Sequence, residues 1–237
     1  MKVILMTGGS GVIGRELMRV NKNFEIVAPS SKKMDVLNYD QIQQHIDRVQ
    51  PDIFLHAAAL TRPMIQHEEF PEKSVKLNII GTSNAVLACM KHKVKMVYLS
   101  TDYVYPGEDG NYKEEDPLKP SNNYAISKMG GECAVQLYEN SLILRACFSG
   151  RPFVHEKAFV DAYKSYMYYD EIAPIILKVL EKDLVGVLNI GGERQSVYDF
   201  AKLSKKDVGK ITINEIGDWV PRDTSMNLDK LNGHLNT

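Results

Sequence analysis

The feature that most restricts how this chain can fold lies at its start. A short aliphatic run over residues 3–6 leads directly into Thr7-Gly8-Gly9-Ser10-Gly11-Val12-Ile13-Gly14, and a helical pattern continues to residue 20. The run reads as G-x-G-x-x-G from Gly9 or as G-x-x-G-x-x-G from Gly8, with the same consequence. Glycines let the chain turn tightly and let a pyrophosphate approach the backbone, where free N–H groups at a helix start meet its charge. A glycine run alone could be no more than a tight turn. With a strand before it and a helix after it, the pattern predicts a dinucleotide site through Gly8, Gly11, Val12, Ile13 and Gly14.

The same alternation continues. Residues 25–28, 53–56, 96–99 and 142–144 are short, aliphatic and continuous, as expected of parallel strands buried on both faces. Helical stretches separate them at 39–49, 72–91 and 124–139. The first opens at Asn38 with Gln41 three residues on, a capping-box pattern, and stops before Pro51. This order predicts an α/β fold with a doubly wound parallel sheet, the Rossmann architecture, over residues 1–145. Beyond Arg145 the pattern blurs around Pro152 and the tyrosines at 163, 166, 168 and 169. A helix over 171–181, a strand over 186–190 and a helix over 197–203 follow. The tail has a strand-like start at 211 and then carries Trp219, Pro221 and Arg222. Residues 146–237 are expected to form a small, shortened substrate-binding lobe, not an independent domain.

Composition narrows the function classes. Lys+Arg 29 against Asp+Glu 30 leaves a net charge of −1, which gives no overall pull towards nucleic acid or anionic lipid. Three scattered cysteines fit neither a disulfide framework nor a zinc site, and no metal site is expected. No apolar run is long enough to span a membrane and no signal peptide is legible, so the reading is a cytoplasmic protein.

Cofactor choice is set near the end of the second strand. An NAD-type site places a carboxylate there, but this chain has Ala28-Pro29-Ser30-Ser31-Lys32-Lys33. The hydroxyls of Ser30 and Ser31 and the Lys32 ammonium suit a 2′-phosphate, so NADP is preferred and NAD remains an option. A second signal is Tyr124-Ala-Ile-Ser-Lys128, with Ser100-Thr101-Asp102 before it. Tyr124 and Lys128 share one helix face. A free phenol titrates near 10, and a nearby ammonium is expected to lower that value and make Tyr124 a usable acid. Thr101, at a strand end, could hydrogen-bond a reacting carbonyl oxygen.

These residues resemble the extended short-chain dehydrogenase/reductases, and among them the dTDP-4-dehydrorhamnose reductase branch. The resemblance is strong over residues 1–145. It rests on the glycine run, on Pro51-Asp52-Ile53-Phe54-Leu55-His56-Ala57-Ala58-Ala59-Leu60-Thr61, and on Asn78-x-x-Gly81-Thr82-x-Asn84. It continues in Ser100-Thr101-Asp102-Tyr103-Val104-Tyr105-Pro106-Gly107 and Pro120-x-Asn122-x-Tyr124-x-x-x-Lys128. It implies a catalytic trio of Thr101, Tyr124 and Lys128, with Lys128 also holding the nicotinamide ribose. Asp35 and Val36 would flank the adenine, and Ala57, Ala58 and Ala59 would line the path to the nicotinamide. Thr61, Thr101, Asp102, Phe148 and Arg222 would meet the substrate, Phe148 standing where relatives carry Trp and Arg222 serving a diphosphate. Tyr103 replaces the acid that sugar-nucleotide dehydratases use, which points to reduction.

The expected activity is therefore reduction of a nucleotide-linked 4-keto deoxysugar by NADPH. The alternatives are a sugar-nucleotide epimerase or a non-catalytic NADP-binding regulatory subunit. The resemblance also makes a homodimer plausible. Three residues are read as structural: His56 as a packed histidine, Glu16 as a solvated carboxylate, and Cys147 as a buried small residue.

Overall fold

A computed structural model describes residues 1–216 and 220–236; Trp219 lies outside them. The strands are β1 (Lys2–Thr7), β2 (Phe24–Val27), β3 (Ile53–His56), β4 (Lys95–Thr101) and β5 (Ser141–Ala146). They continue with β6 (Phe148–Ser149), β7 (Lys157–Phe159), β8 (Tyr163–Lys164), β9 (Met167–Tyr168), β10 (Gly186–Ile190), β11 (Gln195–Ser196) and β12 (Gly209–Ile211). The helices are α1 (Val12–Val20), α2 (Tyr39–Val49), α3 (Ile65–Glu69), α4 (Pro71–Ser74), α5 (Gly81–His92) and α6 (Asn123–Gln136). They end with α7 (Tyr169–Glu181), α8 (Val197–Lys202) and α9 (Asp229–Leu235).

Six strands form one parallel sheet in the order β10-β5-β4-β3-β1-β2. The apolar runs do not alternate because both faces are covered. Ile4, Met6, Ile53, Leu55, Val97, Leu99, Leu142 and Leu144 enter the core beneath α1 and α7. Their neighbours Leu5, Phe54, Met96, Tyr98 and Ile143 enter the opposite core beneath α2, α5 and α6. Period-2 alternation with two buried faces makes successive positions in the middle of these strands apolar.

The chain reverses its winding between β1 and β3, and the crevice at the carboxyl ends of those strands is where such sheets take ligands. Gly8 lies there at φ +75, and a Cβ on it would stand 2.7 Å from the backbone of Ala57 and Ala58.

The main sheet also draws on residues beyond Arg145. Strand β10 is its edge, and α7 packs into the same core as α1. The rest of the C-terminal part has a core of its own, built on Phe153, Tyr168, Phe200 and Ile213. Tyr166 and Tyr168 stack on Phe200 at 4.9 and 4.4 Å, so those tyrosines serve packing.

Candidate active site

The glycine turn opens α1 at the carboxyl end of β1. Gly11 caps α1 without any side-chain hydrogen bond, and the first turn of the helix holds no acidic residue. The amides of that turn are thus left to an anion, with the helix dipole in their favour. The space is sized for glycine: a Cβ on Gly14 would meet the Gly8 carbonyl at 2.4 Å, and one on Gly11 would meet it at 3.1 Å. Val12 is exposed at the turn, while the Ile13 side chain is core, so only its amide is available. Ser30, Ser31 and Lys32 are exposed in a turn after β2, closed by the Lys33 and Met34 amides on the Ser30 carbonyl. Asp35 Oδ1 accepts from the Leu37 amide at 3.0 Å, and Val36 is buried against Gly81 of α5. Small residues, free amides and hydroxyl and ammonium groups form a donor set that fits NADP.

At the exit of β3, Ala57, Ala58 and Ala59 are half-buried and Thr61 is exposed. His56 beneath them is fully buried, with Nδ1 2.8 Å from Thr7 Oγ1 and Nε2 3.1 Å from Thr82 Oγ1. Burial lowers its pKa to about 3, so it is a neutral structural histidine, as read from the sequence.

Next to this exit stand Thr101, at the carboxyl end of β4, and Tyr124, in the first turn of α6. Asn122 starts that helix by accepting the Ala125 amide at 2.9 Å. The Thr101 hydroxyl favours the charged form of the Tyr124 phenol, an effect that burial outweighs. The Tyr124 ring meets His67 edge-on at 5.1 Å and Tyr103 at 6.3 Å. The Lys128 ammonium, one turn on, donates to the Leu99 carbonyl at 2.8 Å and lies 4.1 Å from the centre of the Tyr98 ring.

This geometry corrects one expectation. Tyr124 is not tuned downwards by Lys128: burial, with the Asp102 charge adding to it, pushes the phenol above its ordinary value. Burial lowers Lys128 to about 7, partly opposed by Glu132. In a site of low polarity the charged form of either group is penalised, whatever its sign.

Asp102, expected beside the substrate, is only 2% exposed and is engaged by protein partners. Its Oδ1 accepts from Thr101 at 3.2 Å, and its Oδ2 accepts from Lys164 at 2.5 Å and from the Thr224 hydroxyl. Phe148 is half-buried and tilts against Tyr169 at 5.3 Å, joined to the main core. Arg222 is exposed, and its carbonyl accepts the Tyr163 amide at 2.7 Å. Cys147 is buried, and burial pushes its thiol well up, which makes it inert as a nucleophile. Glu16 pairs with Arg19 three residues on.

Four residues of the site lie in no recognisable sequence motif: Arg62, His67, Lys164 and Thr224. Arg62 is exposed at the β3 exit, and its charge lowers the pKa of Tyr124, Cys147 and His155, on three separate segments.

Residues 1–162 match the model of a family described as the RmlD substrate binding domain. The chain belongs to that family. It is 29% identical over 225 residues to a dTDP-4-dehydrorhamnose reductase of Aggregatibacter actinomycetemcomitans, covering 84% of this chain and 76% of the relative. It is 28% identical over 248 residues to the spore coat polysaccharide biosynthesis protein SpsK of Bacillus subtilis (strain 168), covering 94% and 87%. Among solved structures, dTDP-4-dehydrorhamnose reductase (rfbD) from Bacillus anthracis str. Ames in complex with NADP superposes with a TM-score of 0.86 at 25% identity. That match covers 99% of this chain and 92% of the other. The RmlD-family chain has no helix among its described residues long and apolar enough to cross a membrane.

Proposed function

We propose that this RmlD-family chain reduces a nucleotide-linked 4-keto deoxysugar with NADPH. The observation that carries this reading is the placement of Thr101 at the carboxyl end of β4, the same edge of the parallel sheet from which the glycine turn leaves β1, with Tyr124 in the first turn of α6 and burial favouring its protonated form. NADPH, when bound, supplies hydride to the ketone carbon. Tyr124 supplies the proton to the ketone oxygen, and a phenol that keeps its proton is the form a reduction must start from. The Thr101 hydroxyl can reach the same oxygen and stabilise charge building on it. Gly8, Gly11, Val12, Ile13 and Gly14 would cradle the pyrophosphate. Ser30, Ser31 and Lys32 would hold the 2′-phosphate, with Asp35 and Val36 near the adenine. Ala57, Ala58 and Ala59 would leave room for the nicotinamide, and Lys128 would hold its ribose.

Thr61, Phe148 and Arg222 remain the proposed substrate contacts, with Arg62 added as an exposed cation over the cleft. The residues after 145, apart from α7 and β10, form the proposed substrate lobe. We place the protein in the cytoplasm as a homodimer, and sedimentation at micromolar concentration tests the dimer.

The deciding experiment follows NADPH absorbance with dTDP-4-keto-6-deoxysugar as substrate. Net oxidation dependent on the keto sugar supports reduction, whereas interconversion of sugars without net oxidation means epimerisation. Tyr124→Phe should lose at least about 100-fold in kcat while keeping NADPH affinity, in the range expected for removing a general acid. A wild-type rate in that variant sinks the assignment.

A further inference from the structure

Thr101 has one hydroxyl proton and two lone pairs to share between two protein neighbours. The Tyr103 amide donates to Oγ1 at 3.3 Å, and Asp102 Oδ1 lies at 3.2 Å. A carboxylate can only accept, so the Thr101 proton points to Asp102. One lone pair takes the Tyr103 amide. Where the Thr101 hydroxyl proton points therefore depends on where the Asp102 carboxylate stands.

That carboxylate is fixed from the C-terminal part of the chain. Lys164 of β8 donates to Oδ2 at 2.5 Å and to Thr224 Oγ1 at 2.9 Å, and Thr224 itself donates to Oδ2. Asp102, Lys164 and Thr224 are all buried. The Lys164 ammonium also lies 3.6 Å from the centre of the Tyr103 ring and 5.6 Å from that of Tyr166, so rings and oxygens together enclose it. With Oδ2 claimed twice, Oδ1 is left as the acceptor for Thr101. The 3.2 Å contact is long for O–H···O, so the Thr101 proton can leave it for a substrate oxygen at little cost.

We propose that Lys164 is a positioning residue for the reaction: acting through Asp102 with Thr224, it fixes the Thr101 hydroxyl, whose proton rests on Asp102 until a substrate oxygen takes it. The inference rests on the reductase reading. It makes the C-terminal part of the chain a contributor to kcat as well as to substrate affinity.

The test measures kcat and both KM values for Lys164→Met and Thr224→Val, in the wild-type chain and in a Thr101→Ala background. Lys164→Met should lower kcat about tenfold or more, since small misplacements of reacting groups are that costly. Thr224→Val should lower it about fivefold, the rate equivalent of one hydrogen bond. Both KM values should stay within about twofold. In the Thr101→Ala background neither substitution should lower the residual kcat further, because groups acting through one another are not additive.

Full kcat in Lys164→Met, or the same loss with Thr101 already removed, overturns the proposal and leaves a packing role only. If Lys164→Met does not fold, Thr224→Val, which removes a single hydroxyl, decides between these outcomes. A wild-type chain inert towards keto-sugar nucleotides overturns the reductase reading, and this inference with it, before any variant is compared.

Discussion

Burial acts in opposite directions on the two titratable residues of the catalytic helix and leaves both less charged. Tyr124 is pushed up and Lys128 comes down to about 7. The Y-x-x-x-K spacing placed them correctly on one face, yet spacing cannot show that the Lys128 head turns to the Leu99 carbonyl and the Tyr98 ring. Arg62 was equally hidden in the sequence, since nothing in Thr61-Arg62-Pro63 marks a site. Arg62→Ala should raise KM for an anionic nucleotide sugar about tenfold with kcat nearly unchanged, the range for one exposed charge-assisted contact. Steady-state kinetics at low and high salt check this, and an unchanged KM excludes the contact. His56 gives a stability prediction. Its folded value of about 3 lies below the ordinary value of 6.5, so the unfolded chain binds more protons in between. Its contribution is present above the unfolded value and is lost as pH falls. The urea midpoint of the wild type should therefore drop between about pH 7 and pH 5 by more than that of His56→Gln.

At the scale of elements, legibility follows how local the determinants are. The limits of α2, β3 and β10 match the sequence reading because caps, prolines and aliphatic runs are local signals. The capping box of α2 is only half formed: Asn38 accepts the Gln41 amide at 3.1 Å, but the Gln41 side chain accepts the Asp35 amide instead. The helix expected over 72–91 is interrupted by a π turn, Val75–Ile80, and α9 has no legible sequence pattern because Asn232 and Gly233 weaken it. The π turn directs Asn78 inwards, where Oδ1 accepts the Leu60 amide at 2.8 Å and Nδ2 donates to the Leu60 carbonyl at 3.0 Å and to Ser127 Oγ at 2.8 Å. One side chain thus ties the β3 exit loop to the helix bearing Tyr124. Asn78→Ala should cost about 2–4 kcal/mol by urea unfolding, as several buried polar groups lose partners. It should also depress kcat, because π turns of this kind recur at functional sites.

Across the whole molecule, the segments are joined by buried polar groups that no sequence window contains. Asp102 and Lys164 are 62 residues apart, and Tyr105 and Asn189 are 84 apart. The second joint centres on Arg145 of β5. Its guanidinium pairs with Glu132 of α6 at 2.8 Å and donates to the Tyr105 hydroxyl at 2.9 Å and the Glu114 carbonyl at 3.0 Å. Tyr105 in turn donates to Asn189 of β10 at 2.7 Å, and the Asn189 amide donates to Glu114 Oε1 at 3.0 Å. Glu132 is fully buried, so its charge is compensated almost wholly by Arg145. Arg145→Met should therefore cost about 3–5 kcal/mol, the loss expected when one member of a buried pair is removed. Removing both charges in Arg145→Met with Glu132→Leu should restore much of that loss, since the uncompensated carboxylate is gone. Equilibrium unfolding of the two single variants and the double variant measures the coupling. Additive losses would mean that the pair acts as two separate packing contacts, whereas recovery in the double variant shows that a single buried charge balance holds α6, β5 and β10 in one register behind the site.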